Sequence, residues 1–324
     1  MKRFFQSEIG AAVIWVLGAL CMTAVISPWV YQAGKQLAAT AQASDLPGAV
    51  EWLAAACERS KFSRFFDRSL LLCALVGLPF LLRRIRKLRS EAVGEQTPRV
   101  KISWQLAAIQ ILTGCVIAGG LLWALGGILE AVGFYSAKSN PPTFAKLLPK
   151  ILIPAVVTSL LEEWLFRGLL LGLWLRFARP LAACIGISLL FAFLHFLKPP
   201  DGTMIADPSH PLAGFELLGK ILLHFTEPMF FITDFATLLA IGLILAWARV
   251  RTGALWFSIG LHAGWIMSFK AFNILYKQVP DHFLSPWGVG DNLRSGLLPL
   301  VTLGLTAVVC HFALRRFAVT RASR

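Results

Sequence analysis

Apolar runs of roughly bilayer length follow one another along almost the whole chain, separated by more polar segments of varied length. They cover Ile9–Tyr31, Arg68–Leu82, Trp104–Phe134, Thr143–Phe177, Leu181–Leu197, Pro228–Trp247, Ala254–Phe272 and Gly296–Leu314. A stretch of about 20 apolar residues is what a helix needs to cross a bilayer. With 57% hydrophobic and 15% charged residues, the composition exceeds anything a soluble core of this size requires. The expected fold is all-α, a polytopic membrane helix bundle of about eight transmembrane helices.

The net charge of +14 could suggest a nucleic-acid partner, but the positive residues are not pooled on one domain. They gather at the ends of the apolar runs, as the positive-inside rule predicts, so nucleic acid is excluded as a partner. The strongest inside signal is Arg83-Arg84-Ile85-Arg86-Lys87-Leu88-Arg89, after the second run. Lys2 and Arg3, Arg99 and Lys101, Arg176 and Arg179, Arg249 and Arg251, and Arg315, Arg316, Arg321 and Arg324 complete an arrangement with both termini inside. Residues 32–67 and 198–225 then read as outside loops. The first carries an amphipathic piece near Val50–Cys57, and the second an interfacial helix over Phe215–Phe225. Ala39-Thr40-Ala41 resembles a signal-peptide cleavage site, but it lies too far beyond an apolar run that is itself too long, which predicts a retained first helix. The six cysteines show no CxxC spacing and read as small apolar side chains.

One of these runs carries charge. Within Leu161-Glu162-Glu163-Trp164-Leu165-Phe166-Arg167-Gly168 stand two carboxylates and a guanidinium. Each costs roughly 3 kcal/mol in hydrocarbon even on the lenient insertion scale. On a helix Glu163 and Arg167 share a face at i, i+4 with the acid N-terminal, the better order for a pair. Glu162 is rotated about 100° away, so Arg167 need not claim it. A purely structural ion pair needs only one Glu. Pro154 is expected to kink this helix eight residues before Glu162.

Other polar groups lie in neighbouring runs. His195 ends Phe191-Ala192-Phe193-Leu194-His195, His262 is mid-span in the seventh run, and Asp234 is in the sixth. The ordinary role for a lone intramembrane His is a helix–helix hydrogen bond, and for Asp234 a pair with a neighbouring helix; two His beside the acidic helix point instead to a site. His210, His224, His282 and His311 fall in loops or at span ends and are set aside. No His-Glu-x-x-His, no second mid-span Asp and no Gly-x-Ser-x-Gly elbow is present. What remains is Glu with two His. A carboxylate in a low-dielectric pocket can act as general base on water, and an imidazole can share that water or donate to an oxyanion.

The ordered set Glu162-Glu163-x-x-x-Arg167, Phe191-x-x-x-His195 and His262 resembles the CPBP family. These are the CAAX-protease and bacteriocin-processing (Abi) intramembrane proteases, related to type II CAAX prenyl endopeptidases. The resemblance covers roughly residues 145–272. It implies an intramembrane endopeptidase in which Glu162 activates water, His195 holds the same water, Glu163 and Arg167 brace the helix, and His262 stabilises the oxyanion. The family's third motif reads His-x-x-x-Asn or Asp, whereas the fourth residue after His262 is Ile266. Losing one oxyanion donor typically costs about 10²–10³ in rate. Ser258, one turn before His262, is the expected compensating hydroxyl, and the Trp265 indole is read as structural.

Glu162, His195 and His262 would also suffice as three zinc ligands with water as the fourth. The resemblance favours a metal-free glutamate mechanism with no cofactor. It divides the chain into an N-terminal region of three spans (1–140) with no assigned role, a protease core (141–275), and a final span with a basic tail (276–324). The implied partners are the lipid bilayer and a peptide or protein substrate, lipidated in the CAAX case by analogy alone. The implied location is a bacterial inner (cell) membrane. Two other functions stay open. One is a catalytically weak relative acting as a membrane scaffold or immunity factor, for which Ile266 speaks. The other is a transporter, against which stand the lack of an internal repeat and broken-helix signals limited to Pro154.

Overall fold

The computed structural model describes residues 8–43, 47–91, 102–176, 178–197, 203–285, 287–290, 292–315 and 317. The predicted basic residues Lys2, Arg3, Arg99, Lys101, Arg316, Arg321 and Arg324 lie outside these. The helices are α1 (Glu8–Ala43), α2 (Gly48–Glu58), α3 (Phe62–Glu91), α4 (Trp104–Ala131), α5 (Phe144–Trp174), α6 (Pro180–His195), α7 (Ala213–His224), α8 (Pro228–Thr252), α9 (Trp256–Leu275) and α10 (Leu297–Leu314). Two three-residue strands, Tyr135–Ala137 and Tyr276–Gln278, pair antiparallel. The chain is an all-α polytopic membrane protein, with a helix at each of the eight apolar runs. Among the described residues, α1, α3, α4, α5, α8 and α10 are long and apolar enough to cross a membrane. α6 has only 16 residues. The 20 residues of α9 reach about 30 Å at helical rise, but Ser258, His262, Ser268, Lys270 and Asn273 dilute its apolarity.

The helices divide into two units, Met1–Gln96 with His195–Glu227, and Thr97–Leu194 with Pro228–Arg324. In the first, the expected 32–67 loop is largely helix. α1 runs on to Ala43, since its added residues are mostly Ala, Gln, Lys and Leu, all strong helix formers. Hydropathy falls after Tyr31; helicity does not. Lys35 from this extension donates to the carbonyls of Cys57, Glu58 and Ser60 at 3.2, 2.7 and 3.1 Å, which caps the C-terminal end of α2 with a cation. α3 begins at Phe62 and continues through the basic run, whose Arg, Lys and Leu also favour helix. The apolar stretch near Phe215 is helical as expected, as α7.

In the second unit, α4 and α9 run parallel along a seam of small residues. A Cβ at Gly114 would stand 2.6 Å from the Phe257 carbonyl oxygen, one at Gly260 would run into the Ile111 carbonyl, and one at Gly264 would come within 3.0 Å of the Gly119 nitrogen. Ser268 ties the seam by donating to the Gly119 carbonyl at 2.9 Å. In lipid, where apolar contact with a neighbouring helix gains little over contact with acyl chains, close backbone approach of this kind holds helices together. A core of Ala118, Leu245, Phe257, Leu261, Trp265 and Cys310 joins α4, α8, α9 and α10. Trp265 is therefore a packing residue, as the sequence suggested.

α5 departs from expectation in one respect. It stays helical through both Pro149 and Pro154 as far as Glu162, and then widens into a π-helix over Glu163–Leu170. The register change falls on the charged motif.

The glycine seam predicts that Gly260→Ala lowers stability by about 1–3 kcal/mol, the usual range for overpacking, because the atom it meets is backbone. Gly120→Ala, on the same α4 but with nothing within 4 Å of an added Cβ, leaves stability unchanged or raises it. Thermal unfolding of the two variants in one detergent compares them directly.

Candidate active site

The π-helical turn gives the motif its geometry. The Leu171 amide donates to the Phe166 carbonyl, five residues back, so the turn holds one residue more than an α-helical turn and its side chains are re-aimed. Such turns are frequent at functional sites. Glu163 and Arg167 remain neighbours, with Arg167 Nη1 donating to Glu163 Oε1 at 3.0 Å, and both side chains are fully buried.

Two ionised groups buried together are stable only if their remaining valences are met. Arg167 Nη2 donates to the Gly242 carbonyl of α8 at 3.4 Å. Gly242 lies where α8 crosses α6; an added Cβ there would stand 2.9 Å from the Ser188 Cβ. The guanidinium carbon sits 4.3 Å from the centre of the Phe191 ring, a cation–π contact worth more in a desolvated place than in water. Phe191 also meets the Phe166 ring edge-on at 5.1 Å and the His262 ring at 6.2 Å. In the Phe-x-x-x-His motif, Phe191 thus roofs the guanidinium and flanks the imidazole.

Glu163 Oε1 has a second partner, His262 Nδ1 at 3.0 Å. An ionised carboxylate only accepts, so Nδ1 carries the proton and donates. The opposite nitrogen, Nε2, faces Glu162 Oε2 at 3.8 Å, beyond direct hydrogen-bond reach. The two acids are divided by environment. Glu163 is fully buried and bonded to two cations or donors, whereas the Glu162 side chain keeps 26% of its surface exposed beside the imidazole.

The structure therefore brings Glu162, Glu163, Arg167, Phe191 and His262 into one cluster. His195 is the last residue of α6, one helical turn beyond Phe191, and falls in the other of the two units. Ser258 is buried one turn before His262, and its hydroxyl donates to the Leu255 carbonyl at 2.9 Å. Ile266 is half-buried. Asp234 sits on a second π-helical turn, Phe231–Phe235, where it accepts from the Thr233 hydroxyl at 2.8 Å and acts electrostatically on Arg294. The histidines set aside have other engagements: His311 stacks on Trp247, His282 meets the Val132 carbonyl, His224 meets Glu227, and His210 accepts from the Leu212 amide. Among the described residues no group of three His, Cys, Asp or Glu side chains is arranged to hold a metal ion.

Sequence reasoning missed three contributors. The Gly242 carbonyl leaves no side-chain signal. The Glu163–His262 bond joins residues 99 apart, and a single sequence offers no cue to it. The third was visible: Gly260-x-x-x-Gly264 brackets His262 and has the small-residue spacing of close helix packing.

Residues 144–267, from the start of α5 into α9, match the family described as type II CAAX prenyl endopeptidase Rce1-like. The matched stretch contains every residue of the cluster and supports intramembrane CAAX endopeptidase activity in general terms. The resemblance to CAAX- and CPBP-type intramembrane proteases holds over that stretch. Searches of curated proteins and of solved structures found no match.

Removing one member of a buried ion pair typically costs 3–5 kcal/mol, since the other is left uncompensated. Arg167→Met is therefore expected to destabilise the protein by about that amount, and the double variant Glu163→Gln, Arg167→Met to lose less than the sum of the two single losses. Denaturation of all three proteins in matched detergent measures this.

Proposed function

We propose that the protein is an intramembrane endopeptidase that cleaves a membrane-associated peptide or protein, lipidated in the CAAX case, with Glu162 as the base. The observation that carries this reading is the Glu163–His262 bond, which turns the second imidazole nitrogen toward the carboxylate of Glu162, a side chain that keeps part of its surface exposed. Glu162 takes a proton from water as the water oxygen bonds to the substrate carbonyl carbon. The carbonyl becomes an oxyanion, which accepts a hydrogen bond from His262 Nε2–H. Because Nδ1–H is committed to Glu163, Nε2 donates only when the ring carries both protons. Two carboxylates, one guanidinium and one imidazolium then sum to zero charge, a condition that suits a site in low dielectric. Collapse of the tetrahedral species breaks the C–N bond, and Glu162 returns its proton to the leaving amine.

Glu163, Arg167 and Phe191 act as positioning residues, since none of them needs to touch the substrate. No metal enters these steps. The setting is a bacterial inner membrane, which the short inside loops, such as residues 248–253, and the polytopic design support.

A catalytically weak scaffold or immunity factor is the second reading. Ile266 in place of the family's Asn favours it, and so does the commitment of the Ser258 hydroxyl to the Leu255 carbonyl.

Glu162→Gln separates the two. Hydrolysis requires that this variant lose at least about 10³ in cleavage of a C-terminal or leader peptide while its melting profile is unchanged, and that a chelator leave the parent protein active. A phenotype that survives in Glu162→Gln identifies a scaffold. Flux across vesicles that changes with Glu162→Gln, with no cleaved product, identifies a transporter.

A further inference from the structure

The N-terminal unit has an unassigned cavity of its own. A groove of about 580 Å³ runs between α1 and α3, lined by Trp15, Gly18, Met22, Val76, Phe80 and, at one end, Arg84. Its axis follows α1 from Ala11 to Ile26, roughly 22 Å at helical rise. The Trp15 indole donates to the Ala74 carbonyl at 3.1 Å, and Gly77 has no Cβ that would strike the Trp15 ring, so this pair fixes the floor. The rims are open. Met22, Leu72, Val76 and Phe80 expose 52%, 58%, 60% and 67% of their surface, in helices that are membrane-spanning by length and composition.

An apolar channel within a membrane span admits an acyl chain, but apolarity alone selects no particular lipid. The selective element is charge. Arg84 closes the groove at the end where the basic run stands, with Arg83 and Lys87 exposed beside it. No ion pair among the described residues involves Arg84. Basic groups at the ends of spans attract anionic headgroups, and basic pockets between spans bind them specifically.

We propose that this groove binds one anionic phospholipid, with an acyl chain along Trp15, Gly18 and Val76 and its phosphate on the Arg84 guanidinium. The site belongs to the N-terminal unit alone and stands whether or not Glu162 is a catalytic base. It gives the first and second spans a role as a lipid-anchored element.

The test uses the full-length protein in phosphatidylcholine vesicles doped with a phospholipid carrying a photoreactive diazirine on one acyl chain. The headgroup of that probe is either phosphatidylglycerol or phosphatidylcholine. Crosslinks are mapped by mass spectrometry. Labelling of groove residues by the anionic probe should exceed that by the zwitterionic probe about five-fold, the preference expected from one well-placed basic side chain. Arg84→Gln should bring the two probes to equality, and Arg84→Lys should keep most of the ratio. Gly18→Phe should lower labelling by both probes; nothing lies within 4 Å of a Cβ there, so the ring fills the groove without a backbone clash. Equal labelling of the parent protein by the two probes would overturn the proposal. So would a ratio that survives in Arg84→Gln.

Discussion

One carboxylate oxygen holds the core of the second unit in register. Glu163 Oε1 accepts from Arg167 on its own helix and from His262 on α9, and all three groups are removed from water. Charge in hydrocarbon is tolerated only when it is paired and hydrogen-bonded, so α5 and α9 cannot drift apart without exposing an unpaired ion. The same bond fixes which imidazole nitrogen carries a proton toward the acid and which is left for chemistry. That contact links stability to site geometry, and the Gly242 carbonyl and the Phe191 ring add two further contacts to the guanidinium, whose Nε, like Glu163 Oε2, has no hydrogen-bond partner among the described residues.

That contact is short because the helices are brought close by residues with little or no side chain. Gly260 and Gly264 bracket His262 on α9 and let α4 approach to backbone distance, which sets the depth and rotation of the imidazole. Gly242 does the same where α8 crosses α6, and so delivers its carbonyl to Arg167. The π-helical turn over Glu163–Leu170 is the local counterpart. By accommodating one more residue than an α-helical turn, it lets Glu163 and Arg167 face inward while Glu162 stays part-exposed.

Much of this was legible in the residue pattern, for reasons that can be named. Apolar runs located eight of the ten described helices, because hydropathy is the quantity that decides insertion. The spacing of Glu163 and Arg167 announced their pair, since i, i+4 adjacency is a local property of any helix. Hydropathy misjudged Gln32–Ala43 and the residues after Phe62 because polar helix formers look like loop on that scale. Pro154 lies within the α-helical part of α5, and the change to a π-helical turn begins nine residues later, at Glu163, whose side chain bonds to α9 while that of Arg167 bonds to α8. Glu163 was read as a brace alone. Its bond to His262 depends on the packing of two helices far apart in sequence, which no local rule encodes.

The central claim is that Glu163 and His262 are energetically coupled. A double-mutant cycle on unfolding free energy, built from Glu163→Gln, His262→Gln and the double variant, measures that coupling without reference to any substrate. A hydrogen bond to a buried charged group predicts a coupling of about 1.5–3 kcal/mol. Strict additivity of the two single losses would contradict the account and leave the imidazole's orientation without a cause.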